Sequence, residues 1–214
     1  MANTNAPFGL KPVKHLDGSP WNQVVNLYYV AANDNKAYYI GDAVQSASGV
    51  AGDTLTGAPA VTLYGTRNAA STSGAMRGVV VGLGTAVNTP GGNFPQPFDP
   101  NNLSVTYVPA TKAQAYYLWV VDDPSVIFEA QVDSLASSPY NQNVPLFVAN
   151  APTAPVAESA SYAQGSAVNT TQAFPLKLLG APWRSDNDLT GTAAYAKVYV
   201  KINQHELGNN TAGV

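Results

Sequence analysis

The chain of 214 residues contains no cysteine. That one absence excludes a disulfide framework, a thiolate metal site and a cysteine nucleophile. Charge is scarce too: Asp, Glu, Lys and Arg make up 11% of the residues, against about 25% in an ordinary globular domain. The ten Lys and Arg are scattered and the formal net charge is −3. The clustered cations that displace counterions are therefore missing, and no nucleic-acid partner is expected. No stretch approaches the ~18 apolar residues of a membrane span, so no membrane partner is expected. Residues 1–5 are polar and no apolar core follows them. A secretory signal is not expected, and synthesis in a cytoplasm is.

Histidine is nearly absent. His15 and His205 lie far apart, and neither has a His or Cys at metal-ligand spacing. No G-x-S-x-G nucleophile elbow occurs. The run GVVVGLG at 78–84 looks like a dinucleotide loop, but Asn88-Thr89-Pro90-Gly91-Gly92 stands where the phosphate-binding helix must begin. A strand with glycines at bulges or close approaches fits better. RSDNDLTG at 184–191 offers Asp186 and Asp188 as a weak calcium candidate. The EF-hand pattern is incomplete, and Asp/Asn clusters are common turn formers. No cofactor and no enzymatic activity are expected.

What the chain does have is punctuation. Eighteen glycines and sixteen prolines arrive at short intervals, which leaves room for strands and little else. Residues 194–202 are clearest: Ala194, Ala196, Val198, Val200 and Ile202 alternate with Tyr195, Lys197, Tyr199 and Lys201. That is the period of a half-buried strand. Residues 126–133 alternate likewise, with Phe128, Ala130 and Val132 opposite Glu129, Gln131 and Asp133. The preceding AYYLWVV at 115–121 is apolar on both faces, and Asp122-Asp123-Pro124 separates the two. Residues 115–133 therefore predict a hairpin whose first strand is deeply buried. Weaker strands are expected at 23–30, 37–44, 77–83, 103–108, 144–148 and 175–179. The fold class predicted is all-β, an antiparallel sandwich or barrel, jelly-roll-like, with an extended N-terminal arm and long loops. Those loops are 46–60, 88–102 and 149–171.

The arm is NAPFGLKPVKHLDGSP, residues 5–20, with three prolines, two glycines and poor strand rhythm. Two placements are open: docked on a neighbouring chain, which is the expectation, or folded back as a cap over its own domain. The predicted organisation is an arm at 1–20 and a β domain at 21–214, with a possible sub-boundary in the Pro/Gly-rich loop 88–102. Twelve Tyr, six Phe and three Trp suit interfaces as well as a β core. Tyr38, Tyr39, Tyr116 and Trp119 are assigned to the core. The partner-binding candidates are Phe8, Leu10, Lys11, Pro12 and Lys14 on the arm, and Trp21, Phe94, Phe98 and Trp183 in loops.

Three phrases carry a resemblance: NAPFGLKPVKHLDG at the start, LWVVDDPSVIFEAQ in the middle and AYAKVYVKINQHELG near the end. They resemble a family of tailed-bacteriophage virion structural proteins, head-associated and in part cement or decoration proteins. The resemblance implies a β-rich, jelly-roll or tulip-like protein on the capsid exterior, made in the host cytoplasm and bound at capsomer junctions. It implies the major capsid protein lattice as partner, with further copies of the chain around a local symmetry axis. The alternative is a carbohydrate-binding β module in a tail or fibre, using Trp21, Trp183 and the Tyr195/Tyr199 pair. A β-sandwich glycosidase is a third class, needing two carboxylates in one cleft.

Overall fold

A computed structural model describes residues 2–89, 92–96, 106–135, 139–150, 158–190 and 193–208, and no side chains at 85–89 or 92–96. Among the described residues fourteen strands follow in chain order. They are β1 (Lys11–His15), β2 (Asn26–Val30), β3 (Ala43–Ser46), β4 (Val61–Leu63), β5 (Ala69–Ser71), β6 (Gly78–Thr89) and β7 (Gly92–Gln96). Then come β8 (Tyr116–Val121), β9 (Val126–Gln131), β10 (Asn143–Val144), β11 (Leu146–Val148), β12 (Tyr162–Ala163), β13 (Leu176–Gly180) and β14 (Lys197–Ile202). They build three antiparallel sheets. One runs β1-β9-β14-β13-β10, one β2-β8-β6-β3-β4 with β7 added beside β6, and a small one β12-β11-β5. The fold is all-β and consistent with an antiparallel sandwich; among the described residues no sheet closes on itself into a barrel.

The strand with the clearest alternation behaves as its pattern demands. Val198, Val200 and Ile202 of β14 are buried, while Lys197, Tyr199 and Lys201 between them are half-buried. Phe128 and Val200 from one large sheet join Leu118, Val120 and Val79 from the other in a single core cluster. That cluster draws on residues both before and after the 88–102 loop. Tyr38 and Tyr39 are buried as expected, whereas Tyr116 and Trp119 are half-buried.

Residues 115–133 do not form a hairpin. β8 pairs with β2 and β6, and β9 pairs with β1 and β14, so Asp122–Ser125 carries the chain from one sheet to the other. The turn residues reverse the chain, and the two strands then bury their apolar faces against each other's sheets. All of β9 is buried, including Glu129 and Gln131. The expected solvent face of that strand is covered.

Gln131 is covered in part by the N-terminal segment, through the Thr4 carbonyl, and Glu129 by Arg184. Residues 11–15 are β1, an edge strand antiparallel to β9. Pro12 is tolerated because an edge leaves one row of ladder groups unneeded. The register slips between Pro12 and Lys14, placing a bulge at Val13. Residues 11–15 thus take the second of the two placements, paired with the chain's own sheet, and Leu10 is buried in its core. In the 88–102 region, β7 continues as a ribbon with β6, Val87 standing opposite Phe94. Phe98 lies outside the described residues.

Residues 204–207 are also tied down. Met76 N–H donates to the Gln204 carbonyl and Glu206 N–H to that of Met76. The Glu206 carboxylate accepts from Ser46 N–H (2.7 Å) and Oγ (2.5 Å) and pairs with Arg77 at 3.5 Å. Between them His205 is 3% exposed. Its Nδ1 accepts the Leu207 N–H at 3.0 Å, which assigns the proton of the neutral ring to Nε2. Burial pushes the imidazole below its ordinary 6.5, and Arg77 adds to this, while Asp122, Glu206 and Asp123 oppose it. The unfolded chain therefore binds this proton first on acidification. The stability contributed by neutral His205 is present above pH 6.5 and is lost as pH falls through the lower folded value. Melting temperature should fall between pH 7.5 and 5.5, and His205→Gln should flatten that slope; an unchanged slope refutes the assignment.

Candidate functional site

The site begins with how residues 3–10 are held. Asn3 Nδ2 donates to the Asp188 and Ala194 carbonyls at 2.8 and 3.0 Å, and its Oδ1 accepts the Asp188 N–H at 2.7 Å. Gln131 Nε2 donates to the Thr4 carbonyl at 2.9 Å. Gly9 N–H reaches the Ser161 carbonyl at 3.1 Å and Leu10 N–H the Gly41 carbonyl at 3.0 Å. Gly9 and Gly41 both have positive φ, +74° and +91°, and a Cβ on Gly9 would lie 2.4 Å from the Gly41 oxygen. Only glycine allows that approach. Leu10, at 1% exposure, has gone into the core.

Beneath this contact is a buried ion pair. Asp42 is fully buried, and Arg67 grips it with two nitrogens, at 3.1 Å to Oδ1 and 2.5 Å to Oδ2. Ser159 Oγ donates to Oδ1 at 2.6 Å and Tyr39 N–H to Oδ2 at 2.9 Å. Arg67 also donates to the carbonyls of Ala37 and Ala149.

These anchors shape an open groove of about 970 Å³. Its apolar walls are Pro7, Phe8, Pro12, Trp21, Ile40 and Val81. Its charged lining is Lys11, Arg184 and Lys197 with Glu129, Glu158 and Asp186. Arg184 binds Glu129 in a fork, at 3.0 and 2.7 Å, and its Nε reaches Asp186 at 3.2 Å. Lys197 Nζ lies 2.5 Å from the other oxygen of Asp186. Hydrogen bonding to Glu129 holds the Arg184 guanidinium above its ordinary value, and Lys197 holds the Asp186 carboxyl below its own. Glu129 and Asp186 both accept cationic partners within the subunit.

Beside Arg184 stands Trp183, 99% exposed. Its loop is braced. Asn187, itself buried, donates to the carbonyls of Pro182 and Lys197, both at 2.9 Å, and accepts the Lys197 N–H at 2.8 Å.

The structure therefore brings Phe8, Leu10, Lys11, Pro12 and Trp21 to one groove, with Trp183 next to a groove residue. Leu10 has no surface to offer a partner, and that assignment is corrected: its side chain is core. Lys14 lies 4.9 Å over the Tyr199 ring of β14, a contact within the domain. The calcium candidate is corrected as well. Asp186 is held by two cations, and Asp188 Oδ1 accepts the N–H and hydroxyl of Thr190 as a turn former. Among the described residues no group of three or more His, Cys, Asp or Glu is placed to hold a metal. Glu129, Glu158 and Arg184 escaped sequence reasoning. The only available signal was the polar face of β9, which without knowledge of its cover reads as solvent-facing.

Comparison with protein-family models, curated proteins and solved structures finds no match.

Asp42 is the site's most exposed point of failure. Arg67→Met leaves its carboxylate buried without its cation, which costs about 3–5 kcal/mol. Urea denaturation should show a loss of that size; a loss below about 1 kcal/mol refutes the pair's structural role.

Proposed function

We propose that this chain is a non-enzymatic structural protein that docks on other protein, as a cement or decoration protein on the exterior of a tailed-phage capsid. The observation carrying the docking part is Trp183, set wholly in solvent on a braced loop beside an apolar groove. Tryptophan is the residue most enriched where binding energy concentrates, and a pre-ordered loop loses little entropy on contact. Low charge supports the same reading, because a surface of Asn, Gln, Ser and Thr is cheaper to desolvate than one of Lys and Glu. The capsid setting is supported by the resemblance of the three quoted phrases. In that setting the self-docked N-terminal segment stiffens the body, and the groove face meets the lattice. Several such contacts on one head raise avidity beyond any single one.

A second reading is favoured by one observation. Phe8 and Trp21 share the groove with three carboxylates, and aromatic walls with acidic acceptors suit a saccharide. Saturable binding to one glycan, lost in Trp21→Ala, would carry that reading instead.

The test uses purified undecorated heads. The wild-type chain should saturate them at a fixed ratio, and Trp183→Ala should weaken binding by about 30-fold, the effect of a hot-spot residue worth about 2 kcal/mol. Absence of wild-type binding refutes the capsid role, and normal coating by Trp183→Ala refutes this docking face.

A further inference from the structure

Away from the groove, Lys112 holds its side-chain nitrogen where water does not reach: the side chain has no solvent exposure. Its Nζ donates to the carbonyls of Asp34 and Lys36, the latter at 2.7 Å, and lies 3.7 Å from the Asp34 carboxylate oxygen Oδ1. We propose that these two side chains condense, so that the mature chain carries an amide cross-link between Lys112 Nζ and Asp34 Cγ. The cross-link is independent of the docking reading above.

Three observations carry it. The first is the contact. A charge-assisted ammonium–carboxylate hydrogen bond closes to about 2.7–2.9 Å. Here the gap is 3.7 Å, too long for a hydrogen bond. Two carbonyls take two hydrogens, the number a neutral amine has, and a third carbonyl, that of Ala110, stands at 3.5 Å. Reacting atoms in a near-attack geometry are about 3–3.5 Å apart. Oδ1 is close to that range, and Cγ is one bond from it.

The second is charge in a dry site. The ring of Tyr38 lies 5.6 Å from Nζ. Burial holds the amine below its ordinary value, and Asp34 opposes the shift. The neutral amine is the nucleophilic form. An amide replaces two charges by one neutral group and so removes the desolvation penalty of the pair.

The third is the leaving oxygen. Asp34 Oδ2 accepts the Tyr38 hydroxyl at 2.8 Å and the Thr62 hydroxyl at 3.0 Å. Lys36 Nζ donates to Thr62 Oγ1 at 3.0 Å, behind it. Burial, with Asp34 beside it, pushes the Tyr38 phenol up, so it stays a donor. Oδ1 accepts the Lys36 N–H at 2.7 Å, a donor for the charge that gathers there in a tetrahedral intermediate. The atoms balance. The ammonium passes one proton to the carboxylate, and Nζ then bonds to Cγ. The second proton passes to Oδ2, the Cγ–Oδ2 bond breaks, and Oδ2 leaves as water. The product closes a ring over residues 34–112, a staple in a chain that has no cysteine.

Intact-mass spectrometry of the purified full chain tests this. Wild type should be one water lighter than its sequence, and a tryptic map should join the peptide holding Asp34 to the one holding Lys112. Lys112→Arg keeps a cation in place and should restore the full mass. Asp34→Asn should form the same link with loss of ammonia in place of water, a change that an ordinary ion pair does not produce. Tyr38→Phe removes one donor to Oδ2 and should slow the mass loss after synthesis by about tenfold or more. A wild-type chain that keeps its full mass through prolonged incubation overturns the proposal. So does a lighter chain whose Asp34 and Lys112 peptides run unlinked, because Asp17-Gly18 can lose water as a succinimide without any cross-link.

Discussion

The groove wall depends on the buried Asp42–Arg67 pair. A carboxylate removed wholly from water must have its lone pairs filled, and here two guanidinium nitrogens, a serine hydroxyl and a backbone N–H fill them. Those donors come from three separate stretches, around residues 39, 67 and 159. Filling one carboxylate therefore fixes three loops relative to each other. Such a pair adds little net stability over an apolar replacement of similar shape, because desolvation offsets most of its Coulomb gain. What it supplies is position. Ile40 and Ser161, each next to or two residues from a donor or the acceptor, belong to the same knot, since Ser159 N–H donates to Ile40 and Ser159 Oγ contacts Ser161 Oγ. The carbonyls of Gly41 and Ser161 are then presented to Leu10 and Gly9.

From there the consequences run outward. With Leu10 seated, β1 continues along β9 and the Thr4 carbonyl meets Gln131. Glu129 and Gln131 are thereby removed from solvent, and each needs partners. Gln131 finds the Thr4 and Tyr195 carbonyls, and Glu129 finds Arg184. The second of these sets the loop that displays Trp183. The ion pairs at the rim are half-exposed, so their direct contribution to stability is small. Their effect is geometric and electrostatic: they orient the loop and cancel charge where a partner would approach.

Sequence reasoning recovers what is local and misses what is global, and particular residues show why. The alternation around Val198 and Val200 is a property of adjacent residues, and it reads correctly. Asp122-Asp123-Pro124 signals reversal, yet nothing in a turn records which sheet receives the next strand, so a sheet-to-sheet crossing reads as a hairpin. Pro12 argues against a strand only when both edges need donors, and edge position is not written in the neighbourhood of Pro12. Phe8, Lys11 and Pro12 read as one segment and Trp21 as a separate loop residue; that all four line one groove is a tertiary fact with no local mark. Glu129 and Arg184 were not, because their pairing joins residues 55 apart whose local patterns both describe ordinary solvent-facing positions.

Trp183 closes the chain of reasoning. A flexible loop would fold an indole back on the nearest apolar wall, since burying a large aromatic side chain gains about 2–3 kcal/mol. Its chain neighbour Arg184 lines a groove with apolar walls, yet Trp183 stays in water. The bracing explains this: Asn187 and Arg184 already satisfy backbone carbonyls and the Glu129 carboxylate, and turning the loop inward would break several hydrogen bonds for one indole. The same bonds that hold the loop keep the Trp183 indole in solvent.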